Sequence, residues 1–293
     1  MQKIPAPILL IIATILWGGN FVIGRAVATE ISPFTLAFLR WSLALVFFYP
    51  FIHKTLARDL TLIRKKWPIV IAMSLTGVAS FNTLVYVSLH YTTAINASLM
   101  NATTPILIFI LSFLFLKIRL KKIQILGALI SLTGVLSIIS NGSIETLLEL
   151  SFNKGDLIVF VAIICWSVYS LLVKQYAQSL PGNTTFFITI VIGTIMLLPF
   201  FLYDLTNATT TVHWSFQTVG AIFYTGIFAS IVAFLFWNTG VVRMGPNSAG
   251  IFLNFIPVFA TIFAVIFIGE TLHIFQAIGG ALAIFGVFLS TRN

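Results

Sequence analysis

Long apolar runs recur from one end of this chain to the other, and no other feature restricts the fold as much. Each run is about 18 to 24 residues long, and about 20 helical residues at 1.5 Å rise cross the hydrocarbon core of a bilayer. The runs place spans at 4–24, 34–52, 67–89, 93–116, 123–140, 157–173, 184–203, 215–238, 247–268 and 274–291. The connectors between them reach at most about sixteen residues, which leaves no room for a soluble domain. Only 8% of the residues are charged, against about 25% in soluble domains, so water is not the main solvent of this fold.

The first run follows Lys3 and continues through Trp17-Gly18-Gly19-Asn20 without a small-x-small cleavage site, so it reads as a retained helix and not a targeting segment. Cys165 is the only cysteine, which excludes an internal disulfide and a thiolate metal cluster. The net charge of +9 does not point to nucleic acid, because it is distributed as a topology signal. Lys54, Arg58, Arg64, Lys65 and Lys66 lie between spans 2 and 3, and Lys117, Arg119, Lys121 and Lys122 between spans 4 and 5. Lys3, Lys174, Arg243 and Arg292 fall on the same side, against Arg25 and Lys154 on the other. Thirteen basic residues against two make the first side cytoplasmic and put both termini there. Glu30, Glu145, Glu149, Asp156, Asp204 and Glu270 lie on the opposite side.

An internal repeat runs through the chain. A shift of 149 residues superposes Ala13–Trp17 on Ala162–Trp166, Arg25 on Lys174, Pro50 on Pro199 and Thr76-Gly77 on Thr225-Gly226. A shift of 152 then places Pro105 on Pro257, Leu120 on Leu272, Gln124 on Gln276, Gly127 on Gly279 and Gly134 on Gly286, with three residues gained between spans 8 and 9. Two units, 1–141 and 142–293, result. Each has five spans, an odd number, so the second begins on the side where the first ended. The expected fold is an all-α integral membrane protein of ten transmembrane helices in two inverted five-helix repeats, with a site near the midplane at their interface.

Trp17-Gly18-Gly19-Asn20-Phe21-Val22, Arg40, Pro105, Pro257 with Gly269-Glu270, and Gln276-x-x-Gly279 with Gly286 resemble the EamA-type drug/metabolite transporter family over nearly the whole chain. The resemblance implies a ten-helix carrier of the cytoplasmic (inner) membrane, with export of amino acids or related metabolites as a common activity. It also implies a cavity lined mainly by spans 1, 3, 4, 6, 8 and 9. One departure is visible: the first copy has Lys117-Ile118 where the second has Gly269-Glu270.

Ten residues are candidates for substrate contact: Trp17, Asn20, Arg40, Asn82, Tyr86, Asn101, Trp166, Tyr169, Trp237 and Asn254. Trp17 and Asn20 share a helix face, as do their repeat mates Trp166 and Tyr169; they are either pocket wall or helix packing. Asn82 and Tyr86, four apart, carry the same pair of readings. Pro105 and Pro257 free the carbonyls of Asn101 and Leu253, and Asn101 and Asn254 beside them either bind substrate or satisfy the broken backbone. Arg40 is the one ionisable residue well inside a span, and either faces the cavity to attract an anionic group or snorkels outward towards helix-end carbonyls and Glu30. Phe234, Trp237 and Asn238 suggest a cytoplasmic mouth, with an interfacial aromatic belt as the alternative. The glycines Gly127, Gly134, Gly279, Gly280 and Gly286 read as packing seams.

An intramembrane enzyme needs a catalytic constellation at depth, and His53, His90, His213, His273 and all seven acidic residues fall at span ends or in connectors. The sequence therefore points to a non-enzymatic secondary transporter that uses no cofactor or metal. Its partners are a small-molecule substrate and membrane lipid, with no nucleic acid, and it is a monomer or homodimer. The absence of a buried carboxylate favours neutral, zwitterionic or anionic cargo, an amino acid first. Export is the expected direction; an importer and a non-transporting receptor or scaffold are the alternatives.

Overall fold

The computed structural model describes residues 4–116, 122–140, 142–145, 153–206 and 212–291. Lys3, Lys117, Ile118, Arg119, Leu120, Lys121, Glu149 and Arg292 of the charge and repeat patterns lie outside the described residues. Every regular element among the described residues is helical. In chain order these are α1 (Ala6–Ala26), α2 (Pro33–Arg64), α3 (Trp67–Ser88), α4 (Ala94–Asn101 and Thr104–Leu116), α5 (Lys122–Ile139) and α6 (Lys154–Tyr176). There follow α7 (Gly182–Thr206), α8 (Phe216–Met244), α9 (Pro246–Ile268) and α10 (Ile274–Thr291). Eight of them, α1 to α4 and α6 to α9, are long and apolar enough to cross a membrane, while α5 and α10 have 18 residues each.

Helix starts follow local chemistry. Pro sits in the first turn of α1, α2 and α3, where its missing N–H costs nothing. Ser32, Thr93, Asn153 and Ser215 accept from the N–H of Thr35, Asn96, Gly155 and Thr218 and so cap α2, α4, α6 and α8. The apolar run of span 2 ends at 52, but α2 continues to Arg64. Its 32 residues make about 48 Å of helix against a hydrocarbon core of about 30 Å, so Lys54, Arg58 and Arg64 ride on a helix and not in a loop.

Irregularities recur at matching positions. α3 is π-helical over Ser74–Ser80 and α8 over Tyr224–Val232; such wide turns concentrate at functional sites. α4 breaks at Ala102-Thr103 before Pro105, and α9 passes through a 3-10 turn at Ile251–Asn254 before Pro257. Thr104 Oγ1 donates to the carbonyl of Asn101 at 2.6 Å, which satisfies the group that Pro105 leaves free.

Large apolar side chains face outward as well as into the apolar core, and a set of polar ones is buried. Phe51, Phe115, Phe216 and Phe267 are exposed, whereas Arg40, Asn20, Asn82, Ser167 and Thr225 are buried. α2 and α7 stack through Phe34 on Phe200 and Phe38 on Phe201, with centroids 5.2 and 4.3 Å apart. α5 and α10 meet backbone to backbone: a Cβ on Gly279 would lie 2.7 Å from the carbonyl oxygen of Gly134.

The two faces of the bundle differ in chemistry. On one, four carboxylates bind groups belonging to the other half of the chain. Glu30 accepts from Ser215 Oγ at 2.7 Å and Thr218 Oγ1 at 2.5 Å. Asp204 accepts from Ser32 and, at 2.9 Å, from Thr35. Asp156 accepts from Thr92 at 2.8 Å, and Glu270 from the N–H groups of Ala94 and Ile95 at 2.9 and 3.1 Å. Each sits at the start of α8, α2, α6 or α4, where the helix dipole favours negative charge. Gly269, with φ +66°, ends α9 and turns the chain so that Glu270 reaches α4. The opposite face, where α2 and α8 end and α3 begins, carries Lys54, Arg58, Arg64, Lys65, Lys66 and Arg243, and there Asp59 accepts from Thr184 Oγ1 at 2.6 Å and pairs with Arg58 at 3.0 Å. Asp59, Asp156 and Asp204 thus lie buried in helix-end turns, not in loops outside the helices as the apolar runs suggest.

Candidate functional site

Trp17 of α1 and Trp166 of α6 meet at the centre, edge to face, with ring centroids 5.1 Å apart. Phe234 and Trp237 of α8 close on both, at 5.2 to 5.7 Å, and Trp17 Nε1 donates to the Ala229 carbonyl in the π-helical turn at 3.1 Å. Beside this cluster is a cavity of about 10 Å³, lined by Trp17, Asn20, Asn82, Asn101, Trp166 and apolar neighbours from α1, α3 and α9. It holds about one water molecule. No carboxylate is among its lining residues.

A polar contact lies on each side of the tryptophans. One turn further along α1, towards the carboxylate face, Asn20 Oδ1 accepts from Tyr86 OH at 2.7 Å. One turn further along α6, towards the basic face, Tyr169 OH accepts from Asn238 Nδ2 at 3.0 Å. Tyr169 and Asn238 also line a wider cleft of about 210 Å³ that reaches Arg243 on the basic face.

Arg40 is fully buried behind the cavity wall. Its Nε donates to Ser230 Oγ at 2.8 Å, and its Nη1 to Asn82 Oδ1 at 2.9 Å, Asn20 Oδ1 at 3.3 Å and Tyr86 OH. The guanidinium lies 5.0 and 5.5 Å from the ring centres of Trp41 and Tyr86. These contacts offset part of the several kcal/mol that an isolated charge costs in hydrocarbon. The snorkelling alternative is therefore wrong for Arg40: its face of α2 is turned inward, and Glu30 binds Ser215 and Thr218 instead. Those two hydrogen bonds hold the Glu30 carboxyl below its ordinary range, with a smaller contribution from His213 and against some desolvation.

Of the ten candidates, Trp17, Asn20, Asn82, Asn101 and Trp166 line one cavity, and Arg40 and Tyr86 bind two of them. Tyr169 packs on Trp166 at 5.3 Å. Trp237 is neither a mouth nor an interfacial residue: α8 runs on to Met244, so Trp237 is buried at the centre and Asn238 faces the cleft. Asn254 is buried beside the break in α9, and its Oδ1 has no hydrogen-bond partner among the described residues. Ser230 is a site residue that sequence reasoning misses. Its hydroxyl accepts from Arg40 and donates to Thr225 O five residues back, a π-turn spacing that no residue type announces.

A bundle with eight helices long and apolar enough to cross a membrane, and a small aromatic and amide cavity at its centre, defines a multi-pass membrane protein. The model of the EamA-like transporter family matches residues 4–140 and again 153–292, and the chain belongs to that family. It is similar to an uncharacterized transporter, YyaM, of Bacillus subtilis (strain 168), 31% identical over 99% of this chain and 95% of that one. An uncharacterized transporter of Archaeoglobus fulgidus is 29% identical over 98% and 97%. A protein of Streptantibioticus cattleyicolor named "Probable terminal-alkyne amino-acid exporter" is 26% identical over 83% and 76%. One solved crystal structure shares the fold with a TM-score of 0.67 at 20% identity, over 97% of this chain and 95% of that one.

Proposed function

We propose that this protein is a secondary transporter that moves a small metabolite, an amino acid or related zwitterion, across the cytoplasmic membrane by alternating access, in the direction of export. The observation that carries the reading is the pair of polar contacts flanking Trp17 and Trp166. Tyr169 is the repeat mate of Asn20 at the 149-residue offset, and Asn238 stands on α8, the counterpart of α3, three residues past Leu235, the mate of Tyr86, so a tyrosine–asparagine contact joins the matching pair of helices in each half. Two inverted five-helix units, 1–141 and 142–293, account for this, with α5 and α10 as the fifth span of each. The double family match, the paired π-helical turns and the paired helix breaks support the same division.

The basic face is the cytoplasmic one on the positive-inside rule, with both termini there. Four carboxylate links between the halves then close the outer face, while the 210 Å³ cleft opens the inner one to solute. Entry from the cytoplasm fits export, as does the name of the Streptantibioticus relative. The chamber lacks a carboxylate to relay protons, so flux follows the solute gradient.

The test is counterflow in liposomes containing the purified protein, with a panel of amino acids, nucleosides, vitamins and amphiphilic drugs. Saturable exchange of an amino acid is the expected result. Saturable binding without flux for every member would show a receptor instead.

A further inference from the structure

Arg40 carries a full positive charge that its surroundings do not neutralise. An arginine keeps its proton in proteins. Its four partners, on Ser230, Asn20, Asn82 and Tyr86, are neutral oxygens, and the one ion pair among the described residues joins Arg58 to Asp59 at the basic face. The polar inventory around it is also lopsided. Arg40 Nη2 and Asn82 Nδ2 are both buried, and neither has a hydrogen-bond partner among the described residues. Both orphans are donors, so the group that completes the cluster is an acceptor, and the uncompensated charge makes it an anion. Asn20 and Asn82, which bind the guanidinium, also line the central cavity, so the cluster is one hydrogen bond from the solute space.

We propose that Arg40 is the carboxylate-binding residue of the chamber and selects solutes that carry a free carboxylate; this rests on the chamber being the solute site. A carboxylate accepts only, bears a single charge that matches the single cation, and fits the planar guanidinium fork. A phosphate brings a second charge for which the chamber has no second cation. To receive a carboxylate, the guanidinium exchanges the neutral oxygens of Asn20 or Tyr86 for it, which ties solute binding to the Asn20–Tyr86 contact on the outer side of the tryptophans. The apolar part of the solute then lies against Trp17, Phe81 and Trp166.

The test uses the purified full chain in detergent and three matched pairs: propanoate and propanamide, benzoate and benzamide, leucine and leucinamide, with methyl phosphate added. Melting midpoint and tryptophan fluorescence are read together. The expected result is stabilisation by carboxylates and not by amides or methyl phosphate. It is abolished in Arg40→Gln, partly kept in Arg40→Lys, and weaker by about tenfold in apparent affinity in Asn82→Ala. Unliganded Arg40→Gln should melt no lower than the wild type, because the substitution strands no opposing charge; a purely structural arginine would lower it. If Arg40→Gln does not fold, Arg40→Lys and Asn82→Ala decide the matter.

Absence of any carboxylate response, equal response to acids and amides, preference for methyl phosphate, or an unchanged response in Arg40→Gln would each overturn the assignment. Carboxylate-selective stabilisation without flux in liposomes would sink the transport reading and leave the anion site standing. Equal flux of leucine and leucinamide would do the reverse.

Discussion

Trp17 and Trp166 touch edge to face at 83°, and each belongs to a different half of the chain. Because the polar contacts Asn20–Tyr86 and Tyr169–Asn238 lie on opposite sides of this pair, either can part while the other holds. A solute between the rings would thus meet one closed side at a time.

The first prediction concerns this pair. Trp166→Ala removes aromatic contacts to Trp17, Phe81, Phe234 and Trp237, and Asn20→Ala removes an acceptor shared by Tyr86 and Arg40. Each should slow liposome flux by about tenfold or more, since contacts of this kind contribute about 1 kcal/mol or more each. Flux per folded molecule, measured by initial rates, checks it, and unchanged rates would place the solute elsewhere.

The second concerns the links at the carboxylate face. Glu30 receives two hydroxyl hydrogen bonds, from Ser215 and Thr218, that tie the start of α8 to the turn between α1 and α2. In a Cys165→Ser background carrying Val85→Cys in the cavity wall, the double change Ser215→Ala with Thr218→Ala should speed labelling by a membrane-impermeant maleimide from the carboxylate face. A rise of about tenfold or more is expected. An unaltered rate would mean that this link does not restrain the carboxylate face.

A third prediction follows from acidity. The hydrogen bonds from Ser215 and Thr218 depress the Glu30 carboxyl, so its contribution to stability is fully present above the unfolded value near 4.3 and drains as pH falls through the lower folded value. Melting midpoints measured from pH 6 down to pH 3 should decline for the wild type below about 4.3 and decline less for Glu30→Gln. Parallel curves would show that the carboxyl titrates alike in both states.

The fourth compares one substitution at two places. A methyl group on Gly134 would strike the backbone of Gly279 and Ala283, whereas a methyl group on Gly220 meets nothing within 4 Å. Gly134→Ala should lower stability by about 1 to 3 kcal/mol through overpacking, and Gly220→Ala should raise it by up to about 1 kcal/mol through helix propensity. Thermal melts of the two variants check the opposite signs.

Much of this architecture is legible in the residues because lipid imposes a single rule, that each span be long and apolar. The central site is legible in part: Trp17, Asn20, Trp166 and Tyr169 stand out because a three-residue spacing recurs at a fixed offset. Arg40 is ambiguous from sequence because α2 is apolar on nearly all sides, with Phe38, Leu39 and Trp41 around it, so nothing in the pattern tells which way its face turns. Trp237 is misplaced because an apolar run underestimates how far a helix continues: α8 keeps its hydrogen bonds through Thr239 and Arg243 to Met244. The π-helical turns leave no trace, since Thr76-Gly77 and Thr225-Gly226 are ordinary helix residues until the wide turn brings Ser230 under Arg40.

The seam between Gly134 and Gly279 has a consequence beyond stability. Side chains can slide or change rotamer when helices move, but here main chain bears on main chain, and little can give. Any rocking of one half against the other must leave these two helices at a fixed separation. α5 and α10, which contribute no residue to the lining of the central cavity, would then serve as the fulcrum about which the other eight turn.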